Sequence, residues 1–366
     1  MNIAVFYELQ SGGARRAANE FAQALKKLGH RVELFYVDPK HTGHEKPFYS
    51  AVHWHKFIPV SWKGKNWKNR LYRDTGELIA LNALHKKIAG EINMGGFDFV
   101  FVQPSTYTQA PFILNHLTTP TLYYCQEPLR LVYDPVFSAL PKDLDPVRTV
   151  YEWAVRKVRK YIDAYNIKNA DVVLANSRFT KKNIQQAYGI KSTACHMGVD
   201  TTVFYPDGKK TIDLLFVGTR DTEEGFGMFQ ECLKYMKTKP KICYLIRGEN
   251  WTSNDTQLRR LYSSAKIVLC FGYNEPFGLT PIEAMACGAI PVALNEGGYK
   301  DSVRQGVTGV LVNKQPKHIA RILDSLLRSP SKLVHLSQLA VKDMHAQWTW
   351  ESSAKQVMRI FRKRYL

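Results

Sequence analysis

Short apolar runs of strand length alternate with helix-like stretches along most of this 366-residue chain, and the alternation begins again near the middle. The first run, residues 3–7, is followed by apolar residues at helical spacing, and Gly29 stands where that helix should end. A stretch rich in proline, glycine and charge at 203–210 precedes a second series, which opens with residues 212–217. The pattern predicts two α/β domains, each a parallel sheet covered by helices on both faces.

The remaining candidate strands share the same short, apolar character. They are residues 32–37, 97–102, 121–124, 171–175, 242–246, 267–271 and 290–293. Two doubly wound domains of this kind are expected to face each other across a cleft, with ligands bound at the carboxyl ends of the parallel strands. The length of the chain agrees, because it exceeds what one hydrophobic core usually fills.

Composition excludes several classes of protein. Hydrophobic residues make up 45% and charged residues 23% of the chain, which is ordinary for a folded globular protein. No apolar run approaches the roughly 20 residues that a membrane-spanning helix needs, and the first residues do not resemble a secretion signal. The net charge of +19 leaves nucleic acid, an anionic membrane or a phosphorylated ligand as candidate partners.

The cysteines and histidines do not form a metal-binding pattern. The six cysteines are scattered, without a C-x-x-C pair or a histidine at metal-ligand spacing. We interpret them as buried thiols of a cytoplasmic protein. His53 and His55 would share one face of a strand, but the sequence offers no further ligands beside them, so we expect no metal.

The segment 273–292 has the features of a helix that binds an anion at its start. Thr280 is placed as the helix N-cap, Pro281 fits the first helical position, Glu283 completes a capping box, and Gly288 ends the helix. Backbone amides at such a start, beside a glycine that allows close approach, suit a phosphate group. The sequence therefore predicts a phosphate-binding site just before Pro281.

Two carboxylates bracket that helix start, with Glu275 before it and Glu283 eight positions later. Each alone is explained as a surface-loop or capping residue, but the whole string resembles the E-x7-E element of glycosyltransferase family 4, the retaining nucleotide-sugar glycosyltransferases of the GT-B fold. Motifs similar to those of this family continue over nearly the whole chain. They lie at residues 12–13, 169–180, 197–200, 216–218, 297–301, 306–309 and 348–351.

The resemblance implies a GT-B fold, in which two Rossmann-like doubly wound domains face each other across a cleft and a C-terminal helix crosses back onto the first. The acceptor domain would be 1–191, completed by helix 346–366, and the donor domain would be 192–345. The implied reaction is a retaining, metal-independent and cofactor-free transfer from a UDP or GDP sugar to a glycan or lipid-linked acceptor, in cell-surface polysaccharide or glycoconjugate biosynthesis. The protein would work in the cytoplasm or on the inner face of the cell membrane, without a nucleic-acid partner.

Transferred residue by residue, the resemblance assigns Glu283 to the ribose hydroxyls and Glu275 to the donor sugar and diphosphate. Family precedent favours a front-face reaction without a side-chain nucleophile, so the protein positions the reactants and stabilises the leaving phosphate. The catalytic candidates are Glu275, Arg220 and Gln126. The donor-binding candidates are Gly12, Gly13, Gly218, Thr219, Arg247, Phe277, Gly278, Leu279, Thr280 and Glu283.

The chain departs from the family pattern at the diphosphate clamp. Relatives usually carry Arg and Lys in a G-R-x-x-x-x-K-G stretch, whereas this chain has Thr219 and Glu224 at those positions. Arg220 stands one residue late, and Arg247 is another candidate cation, but bidentate guanidinium contacts depend on position. Gln126 occupies a place where many relatives have a histidine, and a glutamine cannot carry a proton. The alternative is therefore a catalytically inactive protein of this fold that binds a glycan or a nucleotide.

A basic and aromatic stretch runs from Lys46 to Arg73, with seven Lys and Arg and no Asp or Glu. It suits a membrane interface with anionic lipid, single-stranded nucleic acid, or a solvated loop with partly buried tryptophans, and the resemblance favours the membrane. The basic stretches 156–160 and 355–364 are each expected to be solvated helix faces unless all three share one side of the molecule. The acceptor or membrane candidates are Arg15, Trp62, Lys63, Lys65, Trp67 and Lys68.

Overall fold

The computed structural model describes residues 1–10, 12–40, 48–59, 67–140, 144–252 and 254–365. The chain forms two compact units. The N-terminal unit comprises residues 1–176, 180–195 and 354–366, and the C-terminal unit comprises residues 177–179 and 196–353. Each unit is built around a parallel sheet of its own.

Within the described residues, seven parallel strands form the sheet of the N-terminal unit. They are β1 (Asn2–Glu8), β2 (Arg31–Asp38), β3 (Ala51–Lys56), β4 (Phe99–Ser105), β5 (Thr121–Cys125), β6 (Val172–Ala175) and β7 (Thr193–Ala194). Their order in the sheet is β3-β2-β1-β4-β5-β6-β7. From β1 the chain first adds strands on one side and then, starting with β4, on the other side. The loops that follow two such strands diverge, and this leaves room for a ligand at their carboxyl ends.

Helices connect these strands, as the alternating sequence pattern predicts. They are α1 (Gly13–Lys27), α2 (Trp67–Asp74), α3 (Gly76–Met94), α4 (Arg130–Tyr133), α5 (Pro146–Lys168) and α6 (Arg178–Tyr188), with a 3₁₀ turn at Phe112–Asn115. Helix α1 buries its apolar positions against the sheet, where the Phe21 ring meets the ring of Phe101 edge-on at 5.4 Å. Gly29, at a φ of 86°, follows the end of this helix as predicted.

The C-terminal unit has five parallel strands among its described residues. They are β8 (Ile212–Gly218), β9 (Ile242–Ile246), β10 (Ala265–Cys270), β11 (Ile290–Leu294) and β12 (Val310–Val312), in the order β12-β11-β10-β8-β9. Here the order reverses between β10 and β8. The helices are α7 (Phe226–Tyr235), α8 (Asp255–Ser264), α9 (Leu279–Ala286), α10 (Tyr299–Ser302), α11 (Pro316–Leu327), α12 (Pro330–Gln347) and α13 (Trp350–Tyr365).

The last helix belongs to both units. Helix α13 begins in the C-terminal unit, and from Ala354 onward its residues belong to the N-terminal unit. There Phe361 stacks on Phe99 of β4, with the ring centroids 4.6 Å apart. The prediction of a C-terminal helix that returns to the first half of the chain is therefore confirmed.

The predicted apolar strands coincide with β1, β2, β4 to β6 and β8 to β11. The short strands β7 and β12 were not predicted, and neither was β3. Its sequence alternates apolar residues with His53 and His55 and pairs with β2 at the edge of the sheet. His53 Nε2 lies 2.9 Å from Glu33 Oε2, and His55 Nε2 lies 3.3 Å from Glu91 Oε2. A polar edge strand stabilised by neighbouring carboxylates lacks the apolar run by which a strand is recognised in sequence.

All six cysteines lie within the described residues and carry free thiols, five of them buried. Burial raises the pKa of the Cys195 thiol to about 12, although the nearby Arg359 guanidinium acts in the opposite direction. Such thiols are protonated at neutral pH and are poor nucleophiles or metal ligands.

Candidate functional site

The carboxyl ends of β8 and β10, where the strand order of the C-terminal unit reverses, carry most of the predicted donor-binding residues. Gly218 ends β8, and Thr219 and Arg220 follow it. The loop 271–278 leaves β10 and leads directly into α9. In a parallel sheet this is the position where a ligand is expected.

Helix α9 begins at Leu279, two residues earlier than predicted. Gly278 is its N-cap, with a φ of 84° that non-glycine residues rarely adopt, and no side chain caps the helix start. The predictions of a Thr280 N-cap and of a capping box completed by Glu283 are therefore wrong, because the turn at Gly278 brings the chain into the helix before Thr280. The amides of Leu279 and Thr280 stand in the first turn, in the arrangement that binds anions at helix N-termini. Gly288, at a φ of 73°, follows the helix end as predicted.

The Gly297–Gly298 pair packs directly against the backbone of the loop 273–278 and fixes its position. The Gly298 amide donates to the carbonyl oxygen of Glu275 at 2.7 Å. A Cβ atom at Gly298 would collide with the backbone carbonyl of Pro276, so only glycine permits this approach. The position of the Glu275 backbone thus depends on two glycines more than twenty residues away in sequence.

Tyr299 lies near both Glu275 and Glu224. Glu224 stands at a clamp position of the family pattern, whereas no motif in the sequence pointed to Tyr299 as a site residue. A Cβ atom built on Gly272 would lie 3.0 Å from the Tyr299 hydroxyl and 3.7 Å from Glu275 Oε2. Glu224 Oε2 would lie 3.1 Å from a Cβ atom on Gly218. Burial raises the pKa of Tyr299 well above its ordinary value, and the carboxylates of Glu275 and Glu224 raise it further. Tyr299 is therefore a neutral phenol near two acidic residues.

Glu283 lies on the buried side of α9 and does not cap the helix. The Tyr262 hydroxyl of α8 donates to Glu283 Oε2 at 3.2 Å. Both residues are almost fully buried. A carboxylate oriented by a phenol in this way is a fixed acceptor for hydroxyl groups, which is the role that the resemblance assigned to Glu283.

Two arginines flank this edge of the sheet, and both are engaged by neighbours. Arg220 Nε and Nη2 donate to the two carboxylate oxygens of Glu249 at 2.5 and 2.9 Å, and its guanidinium lies 4.7 Å from the Phe226 ring centroid. Arg247 places its guanidinium 5.0 Å from the Trp251 ring centroid. The hydrogen bonds to Glu249 raise the pKa of Arg220, and those from Arg220 lower the pKa of Glu249.

Residues 219–221, where the family pattern begins its diphosphate clamp, form a turn in the structure. The Thr219 hydroxyl donates to Asp221 Oδ2 at 2.7 Å, and the Asp221 amide lies 3.2 Å from the same hydroxyl. This local pair fixes the start of the loop after β8. Thr219 and Glu224 thus contribute a hydroxyl and a carboxylate where the family pattern has two cations.

A second cluster, to which no sequence motif gave a role in the site, supports the loop 273–278 within the C-terminal unit. The Ser177 hydroxyl donates to the Pro276 carbonyl oxygen at 2.5 Å. Asp301 accepts from Arg178 Nε at 3.1 Å and pairs with His196 Nε2 at 2.9 Å. Burial opposes ionisation of Asp301, but these hydrogen bonds outweigh it and hold its pKa below the ordinary value.

In the N-terminal unit, the predicted residues Gly12, Gly13 and Gln126 lie close together. Gly12 is the N-cap of α1, and Gly13 is its first residue. Gln126 follows β5, and its Nε2 atom lies 3.5 Å from the Ala14 carbonyl oxygen and 3.5 Å from Gln103 Oε1. The structure thus joins the glycine loop and Gln126 at one edge of this sheet.

The remaining candidates fall into two groups. Arg15 stands in the first turn of α1, where it counteracts the effect of burial on the pKa of Tyr7. Trp67 and Lys68 open α2, and Trp67 is exposed. The other three candidates, Trp62, Lys63 and Lys65, lie outside the described residues.

Two further observations concern the described part of the chain as a whole. Its histidine, cysteine, aspartate and glutamate side chains do not gather in any group of three or more that could hold a metal ion. Its helices also do not include one that is both long and apolar enough to cross a membrane.

Comparison with known sequences identifies relatives over part of their length. A D-inositol 3-phosphate glycosyltransferase of Thermobispora bispora is 35% identical over 106 residues, which are 29% of this chain and 24% of that protein. An uncharacterised glycosyltransferase of Methanocaldococcus jannaschii is 31% identical over 110 residues, or 30% and 28% of the two chains. The matched region therefore spans about a quarter of the length of these relatives.

Solved structures match along the whole chain. Sucrose-phosphate synthase from Thermosynechococcus elongatus has a TM-score of 0.75 at 16% identity, covering 99% of this chain and 98% of the other. Anabaena HepE in complex with UDP-glucose has a TM-score of 0.66 at 15% identity, covering 99% and 100%. At these identities the likeness concerns the fold, and it confirms the predicted GT-B class.

Family models match both halves of the sequence. The model described as Glycosyltransferase Family 4 matches residues 11–203, and the model described as Glycosyl transferases group 1 matches residues 250–343. The first match alone covers more than half of the chain. The chain therefore belongs to glycosyltransferase family 4.

Proposed function

We propose that this protein transfers a sugar from a nucleotide-diphosphate donor to a hydroxyl of a glycan or lipid-linked acceptor, with retention of the anomeric configuration and without a metal. One observation carries the proposal: the loop 273–278 presents Glu275 and the uncapped start of α9 together, at the point where the strand order of the C-terminal unit reverses. A carboxylate for sugar hydroxyls and an amide site for phosphate are the two groups that such a donor requires.

The donor would be held by groups whose positions are already fixed. The amides of Gly278, Leu279 and Thr280 would bind diphosphate oxygens. Glu283, oriented by Tyr262, would accept hydrogen bonds from the ribose. A UDP sugar is the first candidate, followed by a GDP sugar, because HepE, which shares this fold, was solved with UDP-glucose.

The proposed reaction needs no residue that forms a bond with the sugar. The acceptor oxygen would attack the anomeric carbon on the face from which the phosphate leaves, the bond from carbon to phosphate oxygen would break, and the acceptor proton would pass to that oxygen. The start of α9 and a neighbouring cation, Arg220 or Arg247, would stabilise the negative charge of the leaving diphosphate. Glu275 would hold the sugar hydroxyls in the reacting orientation.

The proposed setting is the biosynthesis of a cell-surface polysaccharide or glycoconjugate at the cytoplasmic face of the membrane. The basic charge of +19 supports this, since a nucleotide-sugar site accounts for only a few of the cations. A protein that binds the donor without transferring its sugar is the alternative, because Thr219 and Glu224 replace the family's cations.

A donor screen followed by one substitution tests the proposal. UDP, GDP, ADP and dTDP sugars are each added to the purified protein, and a donor that binds the folded state raises its melting temperature. With the donor that binds, transfer or slow donor hydrolysis is measured with and without EDTA, and NMR identifies the anomer formed. We expect activity that EDTA does not reduce and a product of retained configuration.

Glu275→Gln should lower this activity by about 100-fold or more while preserving the melting temperature, because the substitution removes a charge that stabilises the reacting sugar. Glu231→Gln, on the exposed face of α7, is the matched control and should leave activity unchanged. Absence of any donor-induced shift and of hydrolysis would overturn the proposal. Donor binding without turnover would establish the binding-protein alternative.

A further inference from the structure

Helix α5 of the N-terminal unit buries two polar residues and leaves six large apolar side chains exposed. Asp163, Asn166 and Ile167 are its buried residues. The exposed apolar side chains of the helix include both aliphatic and aromatic residues. They are Val147, Val150, Trp153, Val158, Tyr161 and Tyr165. A helix at the surface of a water-soluble domain normally keeps most of its large apolar side chains on its buried face.

The inward polar residues have a structural task that explains their burial. Asp163 Oδ1 accepts from the Ala110 amide at 3.0 Å, and Asp163 Oδ2 accepts from the Tyr188 hydroxyl at 2.6 Å. Asn166 Nδ2 donates to the Ala110 carbonyl oxygen at 2.8 Å. Arg159 Nη1 donates to the Tyr107 carbonyl oxygen at 2.9 Å. The polar face of α5 thus satisfies buried backbone groups, whereas the outer apolar residues have no such task.

Five of the six exposed apolar residues form one continuous stripe together with Ala154, and Trp153 lies beside this stripe. Residues 147, 150, 154, 158, 161 and 165 follow one another at intervals of three or four, which places them on the same side of a helix. At 1.5 Å per residue the stripe is about 27 Å long. Val147, Val150 and Tyr161 are 80%, 67% and 71% exposed, which is far beyond what packing on the same unit would allow.

Cations border this stripe, and the acidic residues of α5 lie away from it. Lys157, Lys160 and Lys168 are exposed. Lys157 Nζ lies 5.5 Å from the Trp153 ring centroid. All residues of α5 are described, and its two acidic residues are Glu152, which pairs with Arg70 of α2, and the buried Asp163. The outer face is therefore apolar and positively charged, without a negative charge from the helix.

Helix α2 lies beside the first half of α5 and has a similar character. Besides the pair between Arg70 and Glu152, the Tyr151 hydroxyl donates to Asp74 Oδ2 at 3.0 Å. The exposed large apolar side chains of α2 are Trp67, Leu71 and Tyr72. Apolar and aromatic side chains thus continue on the neighbouring helix.

We propose that the outer face of α5, defined by the six exposed apolar residues and Lys157, Lys160 and Lys168, docks the protein on an anionic lipid bilayer. The helix would lie in the plane of the interface, with its valines and aromatic rings among the acyl chains and headgroups and its lysines against lipid phosphates. The proposed membrane contact thus lies chiefly on α5. From the sequence alone, the basic stretch 156–160 of this helix was predicted to form a solvated face.

The charge pattern favours lipid over other occupants. Two copies of the chain that met through this face would bring the lysines of one copy close to those of the other, which is unfavourable. A nucleic-acid strand would use the charges and the aromatic rings, but it offers no apolar partner for the valines. An anionic bilayer satisfies the apolar stripe and its cations together.

The inference rests on the proposed function only for its biological setting, because lipid binding requires neither donor nor acceptor. The full-length protein is mixed with vesicles of phosphatidylcholine alone or of phosphatidylcholine with phosphatidylglycerol, and the bound fraction is measured by sedimentation. We expect binding to the anionic vesicles and weaker binding to the neutral ones. Failure to bind anionic vesicles at low salt would overturn the inference, whatever the outcome of the donor screen.

Two variants separate the apolar contribution from the charged one. Val150→Ser with Tyr161→Ser should weaken partitioning to both kinds of vesicle by about tenfold, since apolar area drives interfacial binding. Lys157→Glu with Lys160→Glu should weaken partitioning to anionic vesicles by roughly a hundredfold and change the neutral case little. All four side chains are exposed, so the variants should keep the wild-type melting temperature.

A matched control lies in the C-terminal unit. Tyr235→Ser with Val334→Ser removes two exposed apolar side chains of the same kinds elsewhere and should not alter vesicle binding. Equal losses in this control and in the α5 variant would show that the effect is not specific to α5 and would overturn the inference. Light scattering without lipid gives a second check, because a dimer abolished by the α5 substitutions would identify a second copy as the occupant.

Discussion

Arg220 donates hydrogen bonds to Glu249 through both Nε and Nη2, so one of the two cations proposed for the diphosphate is held by a carboxylate of its own unit. Both side chains are about half exposed, where ion pairs are weak and readily exchanged. A diphosphate carries more negative charge than one carboxylate and accepts the same bidentate contacts. Donor binding would therefore require Arg220 to exchange Glu249 for phosphate.

Glu249→Gln should release Arg220 and tighten donor binding. We expect the KM for the nucleotide sugar to fall about threefold, because the competing exposed ion pair is weak. The melting temperature should stay unchanged for the same reason. Steady-state kinetics at two salt concentrations checks this prediction, and a KM that rises would show that Glu249 itself contributes to donor binding.

Glu224→Lys should increase the affinity for the nucleoside diphosphate, because it replaces a negative charge with a positive one. The substitution places a cation where the family pattern has one, beside Gly218 and near Tyr299. We expect about tenfold tighter binding of the nucleoside diphosphate, as for a charge-assisted phosphate contact. Isothermal titration with UDP and GDP measures it.

The companion variant Glu224→Gln separates two effects in that experiment. It removes the negative charge without adding a positive one, and it should give an intermediate affinity. If the glutamine and lysine variants bind the diphosphate equally well, the added cation does not reach the phosphate. If both bind it more weakly than the wild type, Glu224 has a binding role of its own.

Gly278→Ala should abolish donor binding. The residue has a φ of 84°, and an added Cβ would lie 2.7 Å from the Tyr299 ring, so the substitution both strains the backbone and displaces a side chain of the site. We expect a stability loss of about 2 kcal/mol, as for other strained backbone positions. Thermal unfolding with and without donor measures both effects.

Gly306→Ala is the matched control for that variant. Gly306 has a similar φ of 71°, but a Cβ there meets no atom within 4 Å. It should therefore cost about 1 kcal/mol in stability and leave donor binding intact. Loss of binding in both variants would mean that the effect arises from general destabilisation and not from the helix start.

Asp163 should make the N-terminal unit more stable in mild acid. Burial raises its pKa to about 7, although hydrogen bonds from Tyr188 and from backbone amides act in the opposite direction. Because the folded state binds this proton more tightly than the unfolded state, stability falls as the pH rises from about 4 to about 7 and levels off above that. The total change should be a few kcal/mol.

Asp163→Asn tests this pH dependence. The substitution keeps an oxygen acceptor for the Ala110 amide but cannot ionise. Urea unfolding at pH 5 and pH 8 should show a smaller difference in the variant than in the wild type. A difference of the same size would assign the pH dependence to other groups, such as Glu127, whose pKa burial raises to about 6.

The main features of the fold could be predicted from the sequence because they depend on local patterns. Buried parallel strands read as apolar runs, and glycine at Gly29 and Gly288 marks the ends of two helices. The start of α9 could not be predicted in the same way. Thr280, Pro281 and Glu283 match a local capping pattern, but the backbone conformation of Gly278 starts the helix before them.

The contacts of the site were also beyond the reach of sequence patterns. Tyr299 joins Glu275 because the Gly297–Gly298 pair packs on the loop 273–278, and nothing local indicates that contact. Helix α5 shows a further limit. Periodicity reveals that the helix has two faces. Which face is buried depends on hydrogen bonds of Asp163 and Asn166 with the backbone of Ala110, some fifty residues away.

Those bonds to Ala110 have a consequence for how α5 meets any partner. Asp163 and Asn166 hold both the amide and the carbonyl of one buried residue, so the helix is fully formed and anchored before contact. Many helices that bind to membrane surfaces are disordered in water and fold only when they bind, at a considerable loss of conformational entropy. A preorganised helix incurs no such loss, so its far-ultraviolet circular dichroism should not change on binding, and its affinity should reflect the contacts alone.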